Sequence, residues 1–437
     1  MKYVYIPTEI KVRDFRSRLL IALKCVDKGM TAIFGVNSNI RKLIYNLPPG
    51  IYLDKSVSIN KIKFLKFLKK NNNKIFCLDE ESTTFFDNFE IYKNQRLNIK
   101  NIKILEKFFC LGKEEYLYNK KLYKKHKNKF FLTGNPRFEI DKFAKKIFFN
   151  EINKIKKKYK DFILISRSFR YPYKKDKFSN LILRAKKLGI INNKKDLKKY
   201  SITRKIRKEM ALEQDKLVEY LAREYPLKQI IVRPHPTEDI KKIRSNFKHL
   251  KNVNVILEYE AAPWVVSSKQ FIHSGCSTAY IALLNNLLPI SFLKKKHEKT
   301  NKTIPYNLIS TIKSDSSVIS DNLKNKQKLT TLIKRKKTLS KYIEIFGNSS
   351  AHNKIASEVF KSSFETKEVI DKKNLIYEYY YSLKKIFTKF FPENNKQKYI
   401  FKNEIYKNIN VLRQVFKLNG NYKISCIGNS VYQIKNI

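Results

Sequence analysis

Two histidines stand where a strand gives way to a constrained loop. His235 lies in "VRPHP" (Val232–Pro236) and His273 in "FIHSGCSTAY" (Phe271–Tyr280). In the first, Pro234 has no N–H and fixes its own φ, so a strand must stop there. Each proline also pushes the residue before it toward extended backbone, here Arg233 and His235. A stiff loop loses little entropy when its side chain engages a ligand. His235, with help from Arg233, is therefore a candidate to hold a phosphate or a leaving group; a plain turn whose histidine caps a carbonyl is the bland alternative. In the second stretch Gly275 permits a tight turn, and Ser274, Ser277 and Thr278 crowd an expected helix start. Free N–H groups and the positive end of a helix dipole attract anions there. Ordinary capping needs one hydroxyl, and three are present. His273 either lines this site or satisfies a buried strand end.

Acid chemistry has one obvious seat. "CLDEESTTFF" (Cys77–Phe86) ends a strand with Asp79, Glu80 and Glu81 in a row. Adjacent carboxylates raise one another's pKa, and one of them could act as general base toward a hydroxyl. A solvated acidic turn is the competing reading, and Glu80 and Glu81 are not separable. Two further loops offer substrate contacts. "LTGNPRFEID" (Leu132–Asp141) carries Asn135 and Arg137, and "PTEIKVRDFRSR" (Pro7–Arg18) carries Glu9 and Arg13. A structural turn and a solvated helix start explain these equally well.

These loops need a scaffold that aligns strand ends. "KYVYIPTE", "TAIFGV", "GIYLDK", "KIFCLDE", "KFFCLG" and "KFFLTGNP" read as strands interleaved with helical patterns such as "DFRSRLLIALKCVDKG". The alternation restarts at "DFILISRS" and runs through "QIIVR", "NVNVILEY", "QFIHSG" and "PISFL", with a polar, lysine-rich insert at about residues 171–200. A helix is expected over "ALEQDKLVEYLAREYP". Strands alternating with helices predict parallel sheets covered on both faces. The expected fold is α/β: two doubly wound Rossmann-like domains facing a central cleft, plus a C-terminal helical extension. Its expected boundaries are 1–145 for the first domain, 146–345 for the second, and 346–437 for the extension, whose helix is "NLIYEYYYSLKKIFTKFF" and whose tail is a short hairpin around "GN". Ligands bind such folds at the carboxyl ends of the strands.

Composition narrows the classes. At 437 residues and 42% hydrophobic content the chain is long and apolar enough for two cores. No apolar run reaches the roughly 18 residues of a membrane span, and the start lacks signal-peptide character, so a cytoplasmic location is expected. Five scattered cysteines without a CxxC pair indicate neither a disulfide framework nor a zinc site. No metal and no cofactor are expected. The formal charge of +55 suits nucleic acid, but the lysines are dispersed among Asn, Ile, Phe and Tyr, as AT-rich codons produce. Nucleic acid is thus not the expected partner; attraction to anionic lipid remains an option. GxGxxG, GxxxxGK[ST], HExxH and GxSxG are all missing from the expected places.

"RPHP" followed by "HSGCSTA" resembles the second domain of GT-B-fold glycosyltransferases that build bacterial surface polysaccharides. "PTEIKVRDFRSRLLIA", "LPPGIYLDKS", "LDEES", "LTGNPRFE" and "VRPHPTED", in this order, resemble the surface carbohydrate biosynthesis protein family over about residues 1–300. The layout is also similar to bacterial sialyltransferases and Kdo transferases, which use CMP-activated sugars. That similarity implies Glu80 or Glu81 as base, and His235, Ser277 and Thr278 on the CMP phosphate; Ser82 departs from it, where glycine is usual. It implies a GT-B-like fold, with 1–145 on the acceptor side and 146–345 binding the nucleotide sugar, and a glycosyltransferase that takes a nucleotide-sugar donor as substrate and a surface glycan or lipopolysaccharide as acceptor. Peripheral contact with the inner membrane is a separate option, attached to the Tyr- and Lys-rich helix of the extension. Similar loops occur in CDP-glycerol glycerophosphotransferases and nucleotide-sugar 2-epimerases. A basic scaffold or nucleic-acid-binding protein is the non-enzymatic alternative.

Overall fold

The computed structural model describes residues 1–79, 82, 92–169, 178–187, 190–236, 238–297, 305–317, 319, 328–345, 350–367 and 399–437. The chain divides into two compact units. One comprises Met1–Ser82, Tyr92–Phe143 and Ser340–Ile437; the other contains Ala144–Leu339.

In the first unit β1 (Tyr3–Thr8), β2 (Thr31–Val36), β3 (Ile51–Asp54), β4 (Lys74–Leu78), β5 (Lys107–Cys110) and β6 (Phe130–Leu132) form the parallel sheet that the alternation predicts. The near-continuous apolar runs of the inner strands are buried on both faces, as parallel strands under helices must be, whereas edge strand β6 buries Phe130 and leaves Phe131 and Leu132 half-buried. The order β2-β1-β3-β4-β5-β6 reverses between β1 and β3. Helix α1 (Lys11–Asp27) follows β1 and buries Leu19–Leu23; α2 (Asn37–Leu43) follows β2 and α3 (Ile62–Lys70) follows β3. The hairpin expected around "GN" forms from β13 (Tyr422–Gly428) and β14 (Val431–Asn436), and β14 adds antiparallel to β2.

The second unit carries β7 (Phe162–Ser166), β8 (Gln229–Arg233), β9 (Val253–Val255), β10 (Gln270–His273), β11 (Ile290–Phe292) and β12 (Thr311–Lys313), all parallel, in the order β12-β11-β10-β7-β8-β9. Its direction of progression reverses between β7 and β10. The core joins Ile163, Ile165, Ile230, Val232 and Ile272 of the sheet to Leu217, Val218 and Leu221 of the helix Lys194–Glu224. That helix starts well before "ALEQDK", inside the stretch read as a polar insert. Its first buried residue is Met210, so the half before it has no apolar period to announce a helix. Strand β12 also escaped the sequence, being three half-buried residues long. The helix expected over "NLIYEYYYSLKKIFTKFF" lies outside the described residues.

Candidate functional site

In the second unit the strand register sets the site. Ser166 pairs with Arg233 on one side and with His273 on the other. These three residues therefore form one row at the carboxyl edge, with β7 between the two motif-bearing strands. Strands lie about 4.8 Å apart, so the loops after β8 and β10 leave the sheet roughly 10 Å from one another. This is the edge where the strand order reverses, the place where open α/β sheets bind ligands.

Buried groups that the sequence did not single out brace the loop after β8. The backbone N–H of His235 donates to Glu238 Oε2 at 2.7 Å, and the N–H of Glu238 returns a bond to the His235 carbonyl at 2.8 Å. Arg167, fully buried just past β7, donates from Nε to Glu238 Oε1 at 3.0 Å and pairs with Asp215. Burial pushes the Glu238 carboxyl up, against the pull of Arg167. His235 itself is half-buried and Pro236 exposed, so the residue between the prolines stays within reach of solvent. Arg233 is spent on structure: Nη1 donates to the Glu258 carbonyl at 2.7 Å, Nη2 to that of Tyr259 at 3.3 Å, and the guanidinium lies over Trp264. Burial lowers its pKa to about 10.

The loop after β10 is held from beneath. His273 is fully buried, and its Nδ1 accepts from the N–H groups of Gly275 (3.1 Å) and Cys276 (3.2 Å). Nε2 therefore carries the proton toward Ser310 Oγ at 2.8 Å. Burial lowers its pKa to about 3, so the ring is neutral. Gln214 donates to Ser274 Oγ at 2.9 Å, and Ser168 Oγ donates to the Gly275 carbonyl at 2.9 Å. Gly275 has φ +83°, a conformation that costs other residues about 1 kcal/mol or more. The helix after this turn starts at Ala279 and is six residues long, without a side-chain cap. Ser277 and Thr278 lie in the turn before it, partly exposed, with Thr278 Oγ1 3.0 Å from Cys276 Sγ.

Arg167, Gln214, Asp215 and Glu238 are the additions made by the structure. Gln214 and Asp215 had a faint signal: polar residues on the buried face of a helix otherwise faced by Met210, Ala211, Leu217 and Val218.

In the first unit Asp79 is buried at the end of β4 and held two-pronged by Arg96, at 2.7 and 2.9 Å. Glu80 and Glu81 lie outside the described residues. Nearby, Glu115 is buried, receives the Tyr92 hydroxyl at 2.7 Å and the Leu111 N–H at 2.6 Å, and has its pKa raised to about 7 by burial. Glu9 is exposed and pairs with Lys55 at 2.6 Å. Arg13 pairs with the buried Asp14. Asn135 caps the helix Pro136–Lys142 by accepting from the N–H of Arg137 at 2.9 Å. The structure thus gathers His235, Ser274, Gly275, Ser277 and Thr278 at one edge of the second unit. Glu9, Arg13 and Asp79 lie at the carboxyl edge of the first sheet. Among the described residues no group of three or more His, Cys, Asp or Glu side chains could hold a metal ion, and no helix is long and apolar enough to cross a membrane.

No protein-family model matches the chain, and no curated protein does. Solved structures do. UDP-GlcNAc 2-epimerase from Neisseria meningitidis bound to UDP-GlcNAc superposes with a TM-score of 0.50 at 14% identity, covering 83% of this chain and 100% of that one. The S. aureus MnaA–UDP co-structure gives 0.49 at 12% identity, over 82% and 96%. The wall teichoic acid polymerase TagF gives 0.46 at 11% identity, over 82% and 88%. The likeness carries the fold: the chain is a mixed α/β protein of the GT-B class, built from two Rossmann-like units.

Proposed function

We propose that this chain is a nucleotide-sugar-dependent enzyme of surface-glycan synthesis, and that it transfers the sugar to a glycan or glycolipid acceptor. One observation carries the reading. The register Arg233–Ser166–His273 brings the His235 loop and the Gly275–Thr278 turn to the strand-order reversal of the second unit. Such an edge offers donors to a phosphate: the His235 ring and the Ser277 and Thr278 hydroxyls. Arg233 and His273 brace this edge rather than touch the ligand, since both are buried and engaged. The same-fold epimerase, bound to UDP-GlcNAc, supports a nucleotide sugar as the ligand. CMP-, UDP-, GDP- and CDP-linked donors all remain open to assay.

In the transfer step the acceptor hydroxyl loses its proton to a base. Its oxygen attacks the anomeric carbon, and the bond to the donor phosphate breaks with its electron pair on the departing nucleotide. Donors around the phosphate favour the charge that develops there. Asp79 is committed to Arg96, so the reading assigns the base to Glu80 or Glu81. The second reading, 2-epimerisation of the sugar, is favoured by the epimerase likeness itself. Product analysis separates them: transfer releases free nucleotide, whereas epimerisation returns an isomeric nucleotide sugar.

The test is calorimetry against a panel of nucleotides. A charge-assisted bond contributes about 1.5–3 kcal/mol, so His235→Ala should weaken nucleotide binding about 10- to 100-fold and leave the melting temperature unchanged. Equal affinity in the variant removes the phosphate role. Salt-sensitive oligonucleotide binding, with no effect of any nucleotide, would instead favour a basic scaffold.

A further inference from the structure

The first unit has its own strand-order reversal, between β1 and β3, and the groups there are not fully used. Thr8, the last residue of β1, is 2% exposed, and its hydroxyl has no partner among the described residues. Asp54, the last residue of β3, is wholly buried. Its Oδ1 takes the Lys61 ammonium, while Oδ2 has no hydrogen bond and lies 3.8 Å from Arg41 Nη2. Arg41 of α2 stacks on Phe64, 4.3 Å from the ring centre, and neither its Nε nor its Nη2 finds an acceptor. An unmade bond at a buried polar atom costs about 1–3 kcal/mol, so three such residues at one strand-end edge ask for a ligand.

Charge says which kind. Six cations (Arg13, Arg18, Arg41, Lys55, Lys61 and Arg96) stand at this edge against four carboxylates (Glu9, Asp14, Asp54 and Asp79). Arg18 is spent beneath the edge on the carbonyls of Leu53 and Leu78, at 3.1 and 3.2 Å. An excess of two positive charges remains, and the Arg41 side chain, 30% exposed as a whole with Nε and Nη2 buried, lies 3.8 Å from the buried Asp54. A carboxylate with a vacant oxygen accepts from hydroxyls, and a guanidinium with two vacant N–H positions takes an anion. We infer that Thr8, Arg41 and Asp54 form a binding site for a saccharide that carries a carboxylate or phosphate group, with Asp54 and Thr8 on its hydroxyls and Arg41 on its anion. This deepens the transferase reading, on which it rests, by naming an acidic sugar as the acceptor class.

The experiment is ligand-observed NMR titration of the full-length chain with glucuronate, glucose 6-phosphate, glucose and inorganic phosphate. Both anionic sugars should bind saturably, and glucose and inorganic phosphate at least about tenfold more weakly. Arg41→Gln should abolish the preference for the anionic sugars. Thr8→Val, nearly isosteric, should weaken both by about tenfold or more while the protein stays folded. Glucose binding as well as glucuronate, no binding by any probe, or wild-type affinity in both variants would each overturn the inference. Nucleotide titration in the same samples keeps the two readings apart. His235→Ala should retain sugar binding, and Arg41→Gln should retain nucleotide binding.

Discussion

At the residue scale, the histidines of the two motifs have opposite tasks. His235 is half-exposed on a braced loop, whereas His273 is entombed and serves the backbone of Gly275 and Cys276. The difference is measurable through pH. Burial lowers the His273 pKa to about 3, against about 6.5 for an unfolded chain. Between those values the unfolded state binds the extra proton, so stability rises with pH. The contribution is fully present above about pH 6.5 and is lost as pH falls toward 3. His273→Gln should flatten that slope in thermal melts collected from pH 3 to 7, whatever it does to stability at neutral pH. An unchanged slope would mean that other groups account for the acid sensitivity.

At the element scale, loops are fixed by contacts far away in sequence. Glu139, from the "TGNPRFE" stretch, accepts from the backbone N–H groups of Ala351 (2.8 Å) and His352 (3.2 Å), and its Oε2 lies 2.7 Å from His352 Nδ1. It thereby tethers the start of the helix Ala351–Ser362. Gly134, five residues earlier, has φ +77°, and a Cβ there would sit 2.3 Å from the Glu344 carbonyl oxygen. Strain and collision together predict that Gly134→Ala costs about 2 kcal/mol or more, read from the chemical-denaturation midpoint. A neutral substitution would show that the Glu344 strand of backbone yields freely.

At the scale of the whole molecule, the chain returns to where it began. The hairpin β13–β14 completes the first sheet against β2, and Glu404 of the helix Lys402–Phe416 pairs with Lys11 of α1 at 2.6 Å. Ile400, Ile405, Leu412 and Ile434 are all buried there. A chain truncated before Tyr399 would bare the edge of β2 and part of its core, and exposed strand edges recruit other chains. That truncation should lower the melting temperature and promote aggregation, read by light scattering during a thermal ramp. A monodisperse, equally stable truncated protein would refute the role of the hairpin. The net charge of +55 works against self-association, so aggregation in spite of it would be diagnostic.

What the sequence determined is local. Apolar runs of strand length, broken by Gly, Pro and acidic residues, announce eleven of the fourteen strands among the described residues together with the hairpin turn, because burial on both faces leaves a run that neighbours cannot disguise. The prolines around His235 and the glycine of "HSGCSTA" likewise declared stiff turns by their own chemistry. What the tertiary structure decided is every relation between distant segments. Which strands are neighbours, and hence that Arg233, Ser166 and His273 share a row, is a property of sheet order. That Arg167, Gln214 and Glu238 brace the two loops depends on a helix whose solvated half carries no period. Thr8, Arg41 and Asp54 look unremarkable in the chain; only folding brings their vacant polar atoms to one edge, where burial makes an unmade hydrogen bond expensive.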